Sequence, residues 1–336
     1  MAFLAMGLVL LYFAFRGIDF SEMKGIFQNT KYGWVILSFI FSIFAFVSRA
    51  RRWILIIQPL KYNPSLWNTL NAVLFGYLAN YAFPRIGEVT RCVTLGRKEK
   101  IPVDSLIGTV IVERALDMLM LILIMVFLLI ARFEKFGGFF KEYLFNPMGD
   151  KIANGMSSIW ILILIIGILG ILFMALIIIY RKRLYRFKLF KKFSDIVKGI
   201  INGLKTVMKL ERKWEFLFHT LFIWLNYALM TYVVVFALPG VTDSLTFVDA
   251  IFLLVIGSLG MVVPVQAGIG AFHWIVSRGL HFVFGLELTE GLVFATLQHE
   301  SQTLLVLVLG SIAMFFIFYK GKKSKTYNKT SDSESA

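Results

Sequence analysis

One cysteine, Cys92, in 336 residues excludes a disulfide within the chain and any cysteine-built metal cluster. Charge is also scarce. Asp, Glu, Lys and Arg make up 16% of the chain, against about one quarter in a soluble domain. No polar stretch is long enough to fold as a soluble catalytic domain. A phosphate-binding glycine loop, a dinucleotide fingerprint, an Asp-x-Asp pair and a nucleophile elbow are all missing.

What is abundant is apolar sequence: 58% of residues are hydrophobic and the mean hydropathy is +0.77. Apolar runs fall at 2–15, 33–57, 66–83, 103–131, 156–180, 214–238, 246–263, 267–285 and 291–319. Several reach the ~20 residues that cross a bilayer. The run 2–15 lacks a basic flank and a small-residue cleavage site, so it reads as an anchor and not as a removed signal. The expected fold class is all-α: a polytopic membrane helix bundle with about 6–8 spanning helices and two broken or re-entrant helix pairs in pseudo-symmetric halves. Residues 1–320 read as one membrane domain and 321–336 as a disordered tail.

The net charge of +15 does not point to nucleic acid, because the basic residues lie in short loops between apolar runs. That distribution sets topology. Twelve basic residues between Arg181 and Lys213, and the lysines after Tyr319, place both segments in the cytoplasm of a cell whose cytoplasmic membrane holds the chain. Within 181–213, apolar residues from Leu189 to Met208 recur at steps of three and four opposite lysines, the pattern of an interfacial amphipathic helix. Between Lys213 and Lys320 the crossings must be even, and four runs fit. Arg49, Arg51, Arg52 and Lys61 want the same side as the basic loop Arg85–Lys100, yet the run 66–83 separates them. Both lie inside if 66–83 enters the membrane and turns back at Pro84–Gly87. The loop Arg132–Lys151 is then outside.

The stretch Asn80–Arg91 holds the turn, with Pro84, Arg85, Gly87, Glu88 and Arg91 in eight residues. Broken backbone at membrane depth persists only where protein or a watery cavity covers it. A second break, Val263 to Gly270, carries Pro264, Gln266, Gly268 and Gly270. One interrupted apolar segment in each half is the pointer to a transporter-type site. Gly257, Gly260, Gly268 and Gly270 read as close-packing points.

Glu113 and Asp117 share a helix face, with Arg114 beside it. Such groups mark either a lipid-headgroup site or an ion-paired network that pins the hairpin, and one network can do both. Arg85 or Arg91 is the expected partner. Arg49, Arg51 and Arg52 read as a snorkelling belt or as phosphate contacts. His273, His299 and Glu300 are candidates for proton coupling. No carboxylate–histidine spacing resembles a known metal motif, so neither a metal nor a cofactor is expected.

Asn80, Pro84, Gly87, Glu88 and Arg91, then Glu113-Arg114 with Asp117, then Pro264 followed by Gly268-Ile269-Gly270, resemble the motif series of the lysylphosphatidylglycerol synthase transmembrane-region family. The resemblance covers about 30–320. The chain departs from the family at Arg85, where a glycine is common, and at His273, where a glutamate is common. The resemblance implies a stand-alone, flippase-like protein without the soluble aminoacyltransferase. Its candidate headgroup-binding residues are Asn80, Arg85, Glu88, Arg91, Glu113, Arg114, Asp117, Gln266 and His273. The implied partner is a membrane lipid with a phosphate headgroup, together with a lipid-modifying enzyme, and not a nucleic acid. Two other functions stay open: a membrane-embedded transferase using Glu88, Glu113 or Asp117 as base, and a scaffold for a lipid-modifying enzyme.

Overall fold

The computed structural model describes residues 2–145 and 210–331. The expected span 156–180 and the amphipathic segment 184–208 lie outside the described residues. Among those described there are eleven α-helices and no strand: α1 (Ala2–Phe15), α2 (Phe20–Gln28), α3 (Tyr32–Ile57), α4 (Leu66–Ala82), α5 (Ile86–Glu99), α6 (Val103–Ala131), α7 (Phe133–Phe140), α8 (Lys213–Val235), α9 (Phe247–Val262), α10 (Ala271–Phe284) and α11 (Leu288–Ser331). Among the described residues, four stretches are long and apolar enough to cross a membrane: Tyr32–Leu60, Val103–Ala131, Lys213–Val235 and Leu288–Phe318. The chain is a membrane helix bundle, as its composition requires. Helix α11 continues to Ser331, so 321–331 extends the last span as helix where the composition favours disorder.

Helices α4 and α5 form a hairpin. Ser65 caps α4 by accepting from Asn68 N at 3.2 Å. The helix stops at Phe83, which is extended (φ −142°, ψ 134°) because the ring of Pro84 disfavours the helical region for its predecessor. Arg85 then takes φ +62°, and Asn80 Oδ1 accepts from Gly87 N at 2.7 Å, satisfying an orphan donor of α5. The legs touch at Gly76 and Gly87: a Cβ on Gly76 would stand 2.8 Å from the Gly87 carbonyl oxygen. At the base, Glu99 Oε1 accepts from Ser65 N and Oγ at 3.1 Å and from Asn68 Nδ2 at 2.7 Å. The second leg therefore returns to the level where the first began. At 17 and 14 residues the legs are about 26 and 21 Å long, short of a hydrocarbon core of ~30 Å.

Helices α9 and α10 form the second hairpin. Thr246 and Asp249 make a reciprocal capping box at its start. Val263 ends α9 before Pro264 for the same steric reason as Phe83. The tip crosses a short 3-10 turn, Gln266–Gly268. At Gly270, φ is +82° and a Cβ would lie 2.6 Å from Leu11 N of α1, so only glycine fits. Phe272 backbone packs on Gly260, and Gly279 faces Phe252 and Ile256, which makes the legs antiparallel. The four crossings that the charge count allows between Lys213 and Lys320 are thus two spans, α8 and α11, and one hairpin. The parity is unchanged.

Helix α11 measures how the hairpins are set. Gly291 lies against Ser277, His299 reaches the tip carbonyl of Ala267, Thr303 meets Tyr81 near the other tip, Gly310 packs on Leu74 and Leu78, and Phe316 meets Trp67 near the other base. It passes one hairpin from base to tip, then the other from tip to base. The hairpins therefore enter from opposite ends of the bundle, point at each other and meet in the middle.

The expected loop after Arg132 contains α7. Phe136, Phe139 and Phe140 are buried in the main core, and Phe136 stacks on Phe252 with ring centroids 4.5 Å apart. The aromatic area gained by burial turns what reads as a short loop into a packed helix.

Candidate functional site

The two tips converge on one cavity of about 820 Å³. Hairpin one supplies Asn80, Tyr81, Pro84, Arg85 and Glu88, and hairpin two supplies Val262, Val263, Pro264, Val265, Ala267 and Gly268. Arg49 (α3), Arg114 and Met118 (α6), Tyr227 and Met230 (α8), and Gln298, His299 and Gln302 (α11) complete the wall. Arg85 Nη2 donates to the carbonyl of Val262 at 2.8 Å, bridging the tips directly. Among the described residues Arg85 has no carboxylate partner.

Below the cavity lies a buried charge network. Glu113 has no exposed surface and faces three guanidinium groups. Arg49 Nε donates to its Oε1 at 2.9 Å, Arg52 Nη2 to the same oxygen at 3.4 Å, and Arg91 Nη2 stands 3.0 Å from Oε2. The last contact is an ion pair without a well-directed hydrogen bond. Asp117 accepts from Arg52 Nη2 at 2.6 Å and is paired with Arg49 Nη2 as well. Arg49 Nη1 also donates to Tyr227 Oη at 3.0 Å. Arg91 lies over the Trp53 ring, 4.6 Å from its centroid. Glu88 and Arg114 pair at 3.0 Å on the cavity wall.

The sequence-derived set therefore divides. Asn80, Arg85, Glu88 and Arg114 line the cavity. Arg91, Glu113 and Asp117 lie behind the wall as its ion-paired support. Gln266 sits in the tip turn and His273 is buried against α11, and neither lines the cavity. Of the two expected partners, Arg91 pairs with Glu113 and Arg85 meets neither acid; Arg49 and Arg52 supply the remaining guanidinium groups. These two arginines are neither a snorkelling belt nor free phosphate contacts. Their three-residue spacing on α3 matches the four-residue spacing of Glu113 and Asp117 on α6, and that facing periodicity was the signal that could have found them. Arg51 pairs elsewhere, with Glu215 at 2.7 Å. Tyr77 and Tyr227 line the cavity without any sequence signal beyond a hydroxyl in an apolar helix.

The chain matches the family model described as the lysylphosphatidylglycerol synthase TM region over residues 1–310. It is 26% identical over 335 residues to a UPF0104 membrane protein of Methanocaldococcus jannaschii, covering 94% of each chain. No solved structure matches it. The match over nearly the whole chain agrees with the broken hairpins and the charge network: the protein belongs to the lysylphosphatidylglycerol synthase transmembrane-region family.

Proposed function

We propose that the chain binds a membrane lipid with an anionic, phosphate-bearing headgroup in the cavity and carries it across the cytoplasmic membrane. The observation that carries this reading is Arg85: a guanidinium on a re-entrant tip, at the wall of the cavity, with no carboxylate partner among the described residues. Arg49, committed to Glu113 and Asp117, and Arg114, paired with Glu88, share that wall, where Glu88 is the lining carboxylate. The local charge is positive, which favours a phosphate. The remaining wall is largely apolar and includes Met118, Leu254, Met261 and Val262, with Met118, Met261 and Val262 exposed. It suits the glycerol and upper acyl region of a lipid. A transferase reading is disfavoured because Glu88, Glu113 and Asp117 are all paired with arginine, which leaves none of them as a free base.

Reconstitution in liposomes with fluorescent phosphatidylglycerol, a polyprenyl phosphate and phosphatidylcholine tests it. Transbilayer movement should depend on the anionic headgroup. Arg85→Gln should weaken lipid binding about ten- to a hundredfold, because a charged hydrogen bond contributes about 1.5–3 kcal/mol and 1.4 kcal/mol is tenfold. Its thermal unfolding should match that of the unaltered protein. Absence of headgroup-dependent binding and movement with every anionic lipid would overturn the proposal.

A further inference from the structure

Beside the cavity, three side chains from α10 and α11 converge: His273, His299 and Glu300. One donor atom from each lies within 4.8 Å of the others. Two features of this cluster are not explained by a pair of neutral histidines.

The first concerns His299. Its Nε2 lies 2.9 Å from the carbonyl oxygen of Ala267. A carbonyl only accepts, so Nε2 carries the hydrogen, and the Nδ1 of a neutral ring is then a bare lone pair. That lone pair faces Glu300 Oε1 at 2.9 Å. An ionised carboxylate also only accepts. Two acceptors at this distance repel unless a cation lies between them.

The second concerns His273, whose side chain is 2% exposed. Its Nδ1 has no hydrogen-bond partner among the described residues. Its Nε2 stands 3.5 Å from the same Glu300 oxygen, beyond ordinary hydrogen-bond length. An ion on Nε2 would give that nitrogen a partner and leave Nδ1 as the protonated one, facing no acceptor.

We infer that His273 Nε2, His299 Nδ1 and Glu300 Oε1 form a binding site for a divalent metal ion of the zinc class. Two imidazoles and one carboxylate are a zinc-type donor set. With metal–ligand bonds of about 2.0–2.1 Å, tetrahedral neighbours stand about 3.3–3.4 Å apart, and the contacts of 2.9 and 3.5 Å bracket that value. The bond from His299 to the Ala267 carbonyl fixes the tautomer that frees Nδ1, as outer-shell partners of ligating histidines do. His299 also lines the cavity, and Glu300 is half-exposed, so a fourth position is open to water or to a ligand in the cavity. Such an ion ties α10 to α11 and steadies the tip at Ala267, whose φ is +48°.

The test uses the full-length protein in detergent, purified without a histidine tag, stripped with chelator and dialysed against zinc chloride. One zinc per chain should bind saturably, and the stripped protein should gain thermal stability on adding zinc and lose it again with chelator. His273→Ala and His299→Ala should each weaken binding at least about a hundredfold, the upper range for loss of even an outer-shell partner. Zinc addition to unaltered protein needs no variant to fold, so the test stands whatever the variants do. Absence of saturable zinc binding, or binding unchanged in the His273→Ala, His299→Ala double variant, would overturn the inference. The cation between His299 and Glu300 would then be a proton.

Discussion

A carboxylate with no exposed surface must find its counter-charges inside the protein, and Glu113 finds three, on α3 and α5. Arg49, Arg52 and Arg91 are themselves almost wholly buried. Asp117 still pairs with Arg49 and Arg52 when that acid is removed, but Arg91 loses its carboxylate partner and is left as a buried charge without compensation. Glu113→Ala should therefore cost about 3–5 kcal/mol, read as a lower unfolding midpoint in detergent and a lower yield of monodisperse protein. Arg114 is the contrast. Its side chain is 40% exposed where it meets Glu88, and exposed pairs contribute about 1 kcal/mol or less. Arg114→Gln should unfold within a few degrees of the unaltered protein while weakening binding of an anionic lipid. Equal loss of stability in the two variants would show that the wall and its support are one structural unit.

At the scale of elements, the hairpins depend on how closely their legs approach. A side chain on Gly87 would run into the Gly76 carbonyl and the Asn80 amide, so Gly87→Ala must push α5 from α4 and break the cap on the Gly87 N–H. Gly108, on α6, has open space where a Cβ would stand, with nothing within 4 Å, and Ala there should gain up to ~1 kcal/mol of helix propensity. Opposite shifts in thermal unfolding are expected from these two glycine-to-alanine changes. The breaks themselves were legible: Pro84 and Pro264 end helices for a steric reason written in the sequence, and the charge conflict across 66–83 required a turn-back. What stayed hidden was pairing between distant segments. Arg52 and Asp117 are 65 residues apart, and His273 meets Glu300 through the packing of α10 on α11. No local pattern records which helix faces which. The burial of Phe136, Phe139 and Phe140 was hidden for the same reason, since three phenylalanines in a short polar-flanked stretch do not reveal the core they enter.

For the whole molecule, the two hairpin bases mark opposite ends. Arg51 near the end of α3 pairs with Glu215 at the start of α8, on the end where Ser65 meets Glu99. At the other end, Lys31 N donates to Ala237 O at 2.9 Å and Lys135 pairs with Asp249 at 2.7 Å. The first end carries Lys61, Arg97, Lys98, Lys100, Arg212 and Lys213 in the short segments that border spans, so it should face the cytoplasm. The second carries Asp243 and the start of α9. Single cysteines test the arrangement in a Cys92→Ala background, which suits Cys92 because it is buried in an apolar cluster. Lys61→Cys and Lys98→Cys flank hairpin one and should both react with an impermeant maleimide only when the cytoplasmic face is open. Asp243→Cys should react from outside in sealed cells. The pair at Lys61 and Lys98 is the decisive one, because a single crossing of 66–83 would place them on opposite faces. Labelling from opposite sides would refute the re-entrant hairpin, and with it the meeting of two tips that forms the cavity.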